Sequence, residues 1–229
     1  MTQSTSRGPY AKTAAIRRRV VEACVDAFGQ TGFYGATMKD IAKRAGISYT
    51  GLLHHFSSKE ELLAAVLALR DERGTAYLES AHALDPTANP VESLRGMLSV
   101  IVDNELQPGL MELHCVVSGE ATSPEHPAHA YYAERYRMLR RFFGMAFQSL
   151  AERGELRSSS DPETLATMTI ALINGVQAQW LFDRDSVQME RAIREFLVAA
   201  VPALGASRSA DARPWEQSVA AGERTVNRA

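Results

Sequence analysis

The chain has 229 residues, 45% of them hydrophobic and 23% charged, and carries a net charge of −2. Such a composition suits one or two globular domains with a real core and excludes a chain too polar to fold. No apolar run reaches the roughly 18 residues of a membrane span, and the opening MTQSTSRGPYAKT lacks the apolar segment of a signal peptide, so a cytoplasmic protein with no membrane partner is expected.

Strand-like alternation is missing and helical periodicity runs almost throughout, which predicts an all-α fold of about nine helices. Residues 1–9 read as a flexible arm. Ile16, Val20, Ala23, Cys24, Ala27 and Phe28 then form one apolar face of a first helix. Arg17, Arg18 and Arg19 keep its entry turn basic, and Gly29, Gly32 and Gly35 are expected to end it. Thr37 can cap a second helix over 37–44, with Asp40 at the capping-box position. Ser48 can cap a third over 48–54. Ser58 with Glu61 repeats the box and opens a fourth, whose apolar face includes Leu62, Leu63, Val66, Leu67 and Leu69.

Asn89-Pro90, Ser123-Pro124 and Asp161-Pro162 each set a capping side chain before a proline, a helix-start signal. Pro108-Gly109 separates two further helices. The segment 128–153 repeats apolar residues at helical spacing, from Tyr132 to Leu150, and stops at Arg153-Gly154. Apolar helices over 162–182 and 186–201 close the fold. From 205 to 229 periodicity is lost, and a disordered tail is expected. Cys24 and Cys115 sit in helical apolar patterns and read as thiols rather than a disulfide.

Charge is unevenly spread. Residues 1–70 hold ten Lys and Arg against five Asp and Glu, while the remainder is acidic. A basic head on an acidic body suggests a polyanion partner for the head. The head also contains two short helices joined at Gly46, where a positive φ costs glycine little. Together they read as a helix-turn-helix, whose second helix enters the major groove of DNA. Ile47, Leu52 and Phe56 would face inward. Ser48, Tyr49, Thr50 and His54 would face the groove, Gly51 would admit a close backbone, and Lys59 would meet a phosphate at the next helix start. Thr37, Lys39, Lys43 and Arg44 on the bracing helix and Arg17 and Arg18 on the first helix complete the candidate contacts. His55 reads equally as a contact and as a buried histidine at the junction.

Thr37, Ile41-Ala42, Ala45-Gly46-Ile47-Ser48, Leu52, His55-Phe56 and Lys59 through Leu62 together resemble the signature of the TetR family of transcriptional regulators. The likeness is specific over about residues 12–64. One departure is Leu53, where the family usually has a tyrosine; the GLLHHF form looks like a subtype. The resemblance implies a three-helix DNA-binding domain over 10–65 and a ligand-binding and dimerisation domain over 66–204. It also implies a homodimer on a near-palindromic double-stranded operator, released by a small molecule, most simply as a repressor.

The apolar stripes of the last two helices, Leu165, Leu172, Val176, Ile193, Phe196 and Leu197, are the expected dimer face. A mostly apolar effector pocket is expected between the middle helices. Its candidate walls are Met97, Ile101, Met111, Cys115, Phe142, Met145, Met168 and Trp180, and its polar groups His114, Tyr136, Asn174 and Gln177. No cofactor is expected, and no catalytic motif is present. The rival readings are an all-α enzyme or metal protein using His114, Cys115, Glu125, His126 and His129, and an architectural DNA-binding protein without a ligand. The spacing of those His and Cys residues fits no zinc site, and Pro127 divides them.

Overall fold

Nine α-helices and a closing 3-10 turn occupy the described residues, 9–80 and 83–205, of the computed structural model. Helix α1 spans Pro9–Gly35. It does not end at Gly29; it runs on and breaks at Gly32, which has φ 71°. The break turns the Phe33 N–H outward, and the Glu120 carboxylate accepts it at 2.7 Å. A Cβ at position 32 would collide with that carboxylate.

Helix α2, Met38–Arg44, starts where the Thr37 hydroxyl accepts the Asp40 N–H at 3.1 Å. Gly46, at φ 67°, makes the turn into α3, Tyr49–His55, whose cap is the Ser48 hydroxyl on the Gly51 N–H at 3.0 Å. Helix α4, Lys59–Ser80, begins with a reciprocal box: Glu61 N–H donates to Ser58 Oγ, and the Glu61 carboxylate accepts from Ser57. Each cap satisfies an orphan helix-end donor and contributes about 1 kcal/mol. These are local bonds, so short helices of seven residues can form where propensity alone would fail.

The body consists of α5 (Pro90–Glu105), α6 (Pro108–Glu120), α7 (His129–Glu152), α8 (Pro162–Phe182) and α9 (Met189–Ala200), closed by a turn at Pro202–Gly205. The expected start at Ser123-Pro124 is corrected: α7 begins only at His129. Pro127 lacks an N–H and cannot continue a helix begun four residues earlier, and the Ser123 hydroxyl bonds Glu125 instead of capping. The expected arm and tail fall outside the described residues, apart from Pro9 at the head of α1 and Gly205 in the closing turn.

Two buried clusters hold the fold. One joins Val20, Phe28, Ile41, Leu52, Phe56 and Leu63 to Leu113, Val117 and Tyr132 of α6 and α7. The other joins Leu94, Leu98, Phe143, Phe147 and Leu150 to Ile193 and Leu197. The N-terminal helices therefore share a core with the body, chiefly along the seam of α1 on α6. Position 65 lies inside the unbroken α4, so no linker separates the two regions there.

Gly32→Ala forces an L side chain into the left-handed region and displaces Glu120. It should lower stability by about 1–3 kcal/mol, read from the midpoint of urea unfolding at unchanged slope.

Candidate functional site

The first candidate surface is the outer face of α3. Ile41, Leu52 and Phe56 are at most 1% exposed and Ala42 is 2% exposed, which fixes the roll of α3 on α2. That roll leaves Tyr49, Thr50, Leu53 and His54 exposed in one patch, with Lys39 and Lys43 exposed on α2. Leu53, 41% exposed, belongs to the patch and was not among the candidates. Its exposure follows from its place beside the buried Leu52.

Several basic candidates are engaged within the molecule. The Arg17 guanidinium lies 4.1 Å from the centre of the Phe56 ring and donates to the His55 carbonyl. Arg44 donates to Asp40 at 2.7 Å and to Gln30 at 2.9 Å. Lys59, expected to meet a phosphate, has intramolecular partners: its ammonium donates to the Ala36 carbonyl at 3.0 Å and sits 4.4 Å from the Phe33 ring centre. These interactions link α1, α2 and α4. Arg18 remains exposed, 3.7 Å from Glu22. Thr37 and Ser48 use their hydroxyls as caps. At Gly51 a Cβ would stand 3.1 Å from Ser48 Oγ, so the missing side chain leaves room for the cap. His55 is partly buried.

The second candidate site is a cavity of about 50 Å³ between α4, α5, α6, α7 and α8. It brings together the expected Met97, Ile101, His114, Tyr136, Asn174 and Gln177. Helical phase sorts the rest. Tyr136, Leu139 and Phe143 share one face of α7, and Ile170, Ile173, Asn174 and Gln177 share one face of α8. Met145 and Met168 lie opposite, 42% and 46% exposed. Phe142, Met111, Cys115 and Trp180 also miss the cavity. Met111 is core, Phe142 packs on that core, and Trp180 lies under Arg184 at 4.8 Å.

Sequence reasoning missed the cavity's cations, Arg70 and Arg135. Arg70 donates to His114 Nδ1 at 2.9 Å. Burial, and then the positive charge of Arg70, hold the His114 pKa well below 6.5, so the ring is neutral. Its Nε2–H therefore donates to Asn174 Oδ1 at 3.2 Å, and Asn174 Nδ2 donates to the Tyr136 hydroxyl at 3.1 Å. Arg135 pairs with Asp71, which also accepts from the Tyr131 hydroxyl at 2.9 Å.

Of the six expected dimer residues, Leu165, Val176, Ile193 and Leu197 are buried inside the single chain. They are corrected to monomer core, where their helices pack on α5 and α7. Leu172 and Phe196 are partly buried. The exposed face of α8 instead shows Thr164, Met168, Ala171, Gly175 and Phe182, flanked by Met138 and Met145 of α7. Among the metal-site rivals, His129 Nδ1 bonds the Ala121 carbonyl, His126 Nδ1 accepts from Ala128 N–H, and Glu125 accepts from Ser123. No three His, Cys, Asp or Glu side chains converge among the described residues.

Residues 20–66 match the protein-family model described as bacterial regulatory proteins, tetR family. Residues 90–204 match the model of the BetI-type transcriptional repressor, C-terminal. The HTH-type transcriptional regulator UidR of Escherichia coli strain K12 is 37% identical over 82 residues, 34% of this chain and 42% of UidR. The chain thus covers less than half of that relative. SmeT, the repressor of the Stenotrophomonas maltophilia multidrug efflux pump SmeDEF, shares the fold at a TM-score of 0.60 and 22% identity, over 82% of this chain and 92% of SmeT. A transcriptional regulator from Saccharomonospora viridis, in complex with choline, does so at 0.61 and 22%, over 80% and 94%.

A neutral buried histidine makes stability depend on pH. Unfolding returns His114 towards its ordinary pKa of 6.5. Below that pH the unfolded chain takes up a proton that the folded chain refuses, so stability is present above about 6.5 and lost as pH falls. His126, lowered by burial, adds the same sign. His114→Gln should flatten the fall in melting temperature between pH 7.5 and 5.5; an unchanged slope would place the charge elsewhere.

Proposed function

Because the chain belongs to the TetR family of bacterial regulatory proteins, and is a DNA-binding transcriptional regulator rather than an enzyme, we propose that it is a repressor. It binds a palindromic operator as a homodimer and leaves it when a small molecule fills the body cavity. The observation that carries this reading is the exposed patch of Tyr49, Thr50, Leu53 and His54 on a short helix locked from behind by Leu52 and Phe56. Thr50 and His54 can bond base edges, and Tyr49 and Leu53 can touch thymine methyl groups. Lys39 and Lys43 flank the patch for phosphates.

The partner surface proposed for dimerisation is the exposed face of α8, occupied by a second copy of the chain. Thr164, Met168, Ala171 and Gly175 recur at four- and three-residue intervals, and Phe182 follows Gly175 by seven, the seam spacing of packed helices. Phe182, 93% exposed, adds to the exposed apolar side chains Met138, Met145 and Met168, a group that favours a partner surface. Ala171 and Gly175 let two α8 helices approach closely.

Selection of bound sequences from random duplex DNA tests the reading. A palindrome with half-sites about 34–36 Å apart supports it, and binding without symmetry supports the architectural rival. Lys43→Ala should weaken binding to every sequence and reduce the salt slope by about one. Tyr49→Ala and Leu53→Ala should instead change the preferred bases. Ala171→Glu and Gly175→Glu change exposed positions, so the chain should still fold. Light scattering should then report monomers with much weaker operator binding, and intact dimers would exclude this face.

The cavity also bears on the effector's charge. The Saccharomonospora protein was solved with choline, a quaternary ammonium. Such cations ask for carboxylates and aromatic faces. Here the lining holds two arginines and no Asp or Glu among the described residues, so a cation is the wrong class for this chain.

A further inference from the structure

We propose that the effector is an organic anion: an apolar body bearing one carboxylate, with the carboxylate on Arg70. The proposal rests on the ligand-responsive reading above and adds the ligand's chemical class.

Arg70 reaches the cavity from an otherwise apolar stripe of α4, following Leu63, Val66 and Leu67. Among the described residues it pairs with no carboxylate. Its recorded partner is the neutral His114, a single acceptor for a fork of five N–H donors. Arg135, beside it, already has Asp71. Asp71 acts on Arg70 only at a distance, since its carboxylate is bonded to Arg135. A guanidinium withdrawn from water without a directly paired carboxylate is costly, and a ligand carboxylate offsets that cost through a charge-assisted contact.

The direction of the hydrogen bonds gives the same answer independently. Arg70 only donates, so His114 accepts at Nδ1 and donates at Nε2; Asn174 accepts and passes a donor to the Tyr136 oxygen. The Tyr136 proton is then directed away from Asn174. Both ends of the chain, guanidinium and phenol, are donors, and both line the cavity. A lining with donors at two ends recognises acceptors. Met97, Ile101, Leu139 and Phe143 supply the apolar wall for the body. A cavity of about 50 Å³ admits a carboxylate and a short stem, and a longer body needs α5 or α7 to give way.

The test uses the full chain and matched probes. Butyrate, hexanoate, octanoate and phenylacetate are each compared with their primary amide and primary amine, by calorimetry and thermal shift at constant ionic strength. At least one carboxylate should bind at least about tenfold tighter than its amide, the amines should not bind, and acetate alone should be far weaker. Arg70→Met, with its fold verified by circular dichroism, should erase the preference for carboxylate over amide, at some loss of ligand-free stability because His114 Nδ1 loses its donor. Arg70→Lys, which keeps the charge, should retain part of the preference, and Tyr136→Phe should lose a smaller part. Amides or amines binding as tightly as the acids overturns the proposal. So does the failure of every carboxylate, or an undiminished preference in Arg70→Met. Acetate binding as tightly as the longer acids removes the apolar body. Arg70-dependent binding that leaves operator affinity unchanged keeps the anion site and overturns the switch.

Discussion

An arginine enclosed by an apolar helix bundle is the constraint around which the body is arranged. Arg70 stands on α4, His114 on α6, Asn174 on α8 and Tyr136 on α7, and one hydrogen-bonded sequence passes through all four. Each member satisfies the next, so removing one strands a polar group in apolar surroundings. The apolar contacts of these helices allow some sliding, since hydrophobic packing is not directional. The polar sequence is directional and sets their register. It also keeps the guanidinium extended into the cavity rather than folded back to solvent.

That arrangement matters for regulation because of where α4 and α6 lead. Lys59, at the first turn of α4, is tied to the Ala36 carbonyl and the Phe33 ring in the N-terminal region. Arg70 lies eleven residues further, about 16 Å along the helix axis. On α6, Glu120 holds the Phe33 N–H, and His114 lies less than two turns before it. Both helices that touch the guanidinium chain therefore also grip the break in α1 around Gly32 and Phe33. Among the described residues a shared core under α1 joins the N-terminal helices to α6 and α7. A ligand that prefers one setting of α4 against α6 acts on the N-terminal helices directly, by the difference in its affinity for the two settings.

The elements readable from the sequence were those written in local chemistry. Thr37, Ser48 and Ser58 announce helix starts by bonds to neighbours three residues on, and Gly46 announces its turn by the φ it must adopt. The sites are tertiary and were read less well. Met145 and Met168 resembled pocket walls in composition, yet helical phase turns them outward. Lys59 reads from the sequence as a phosphate contact, and nothing local announces its intramolecular partner Phe33, which comes from another helix. Arg70 did leave a signal: the stripe of Leu63, Val66 and Leu67 continues into a charge at the next position of the same face, which is partly buried. On α8 and α9 the large apolar residues Leu165, Val176, Ile193 and Leu197 mark the monomer core. The exposed stripe on α8 contains Ala171 and Gly175, whose smallness conceals it from a search for hydrophobicity.

The basic charge of the N-terminal region has a similar division between what is contacted and what is felt. Arg44 is neutralised by Asp40 at 2.7 Å and adds little to the field beyond its own helix. Arg17 and Lys59 are held by carbonyl oxygens and aromatic faces, which are neutral overall. Their positive charge is therefore retained while their direction is fixed. Such charges attract a polyanion over a Debye length of about 8 Å at physiological salt, yet they need not touch a phosphate to do so. Exposed Lys39 and Lys43, free to follow the backbone, are suited to contact itself. Under the proposed reading, the same surface separates a directed field that would orient DNA from exposed ammonium groups that would contact it, and the aromatic partners Phe33 and Phe56 serve both the fold and that field.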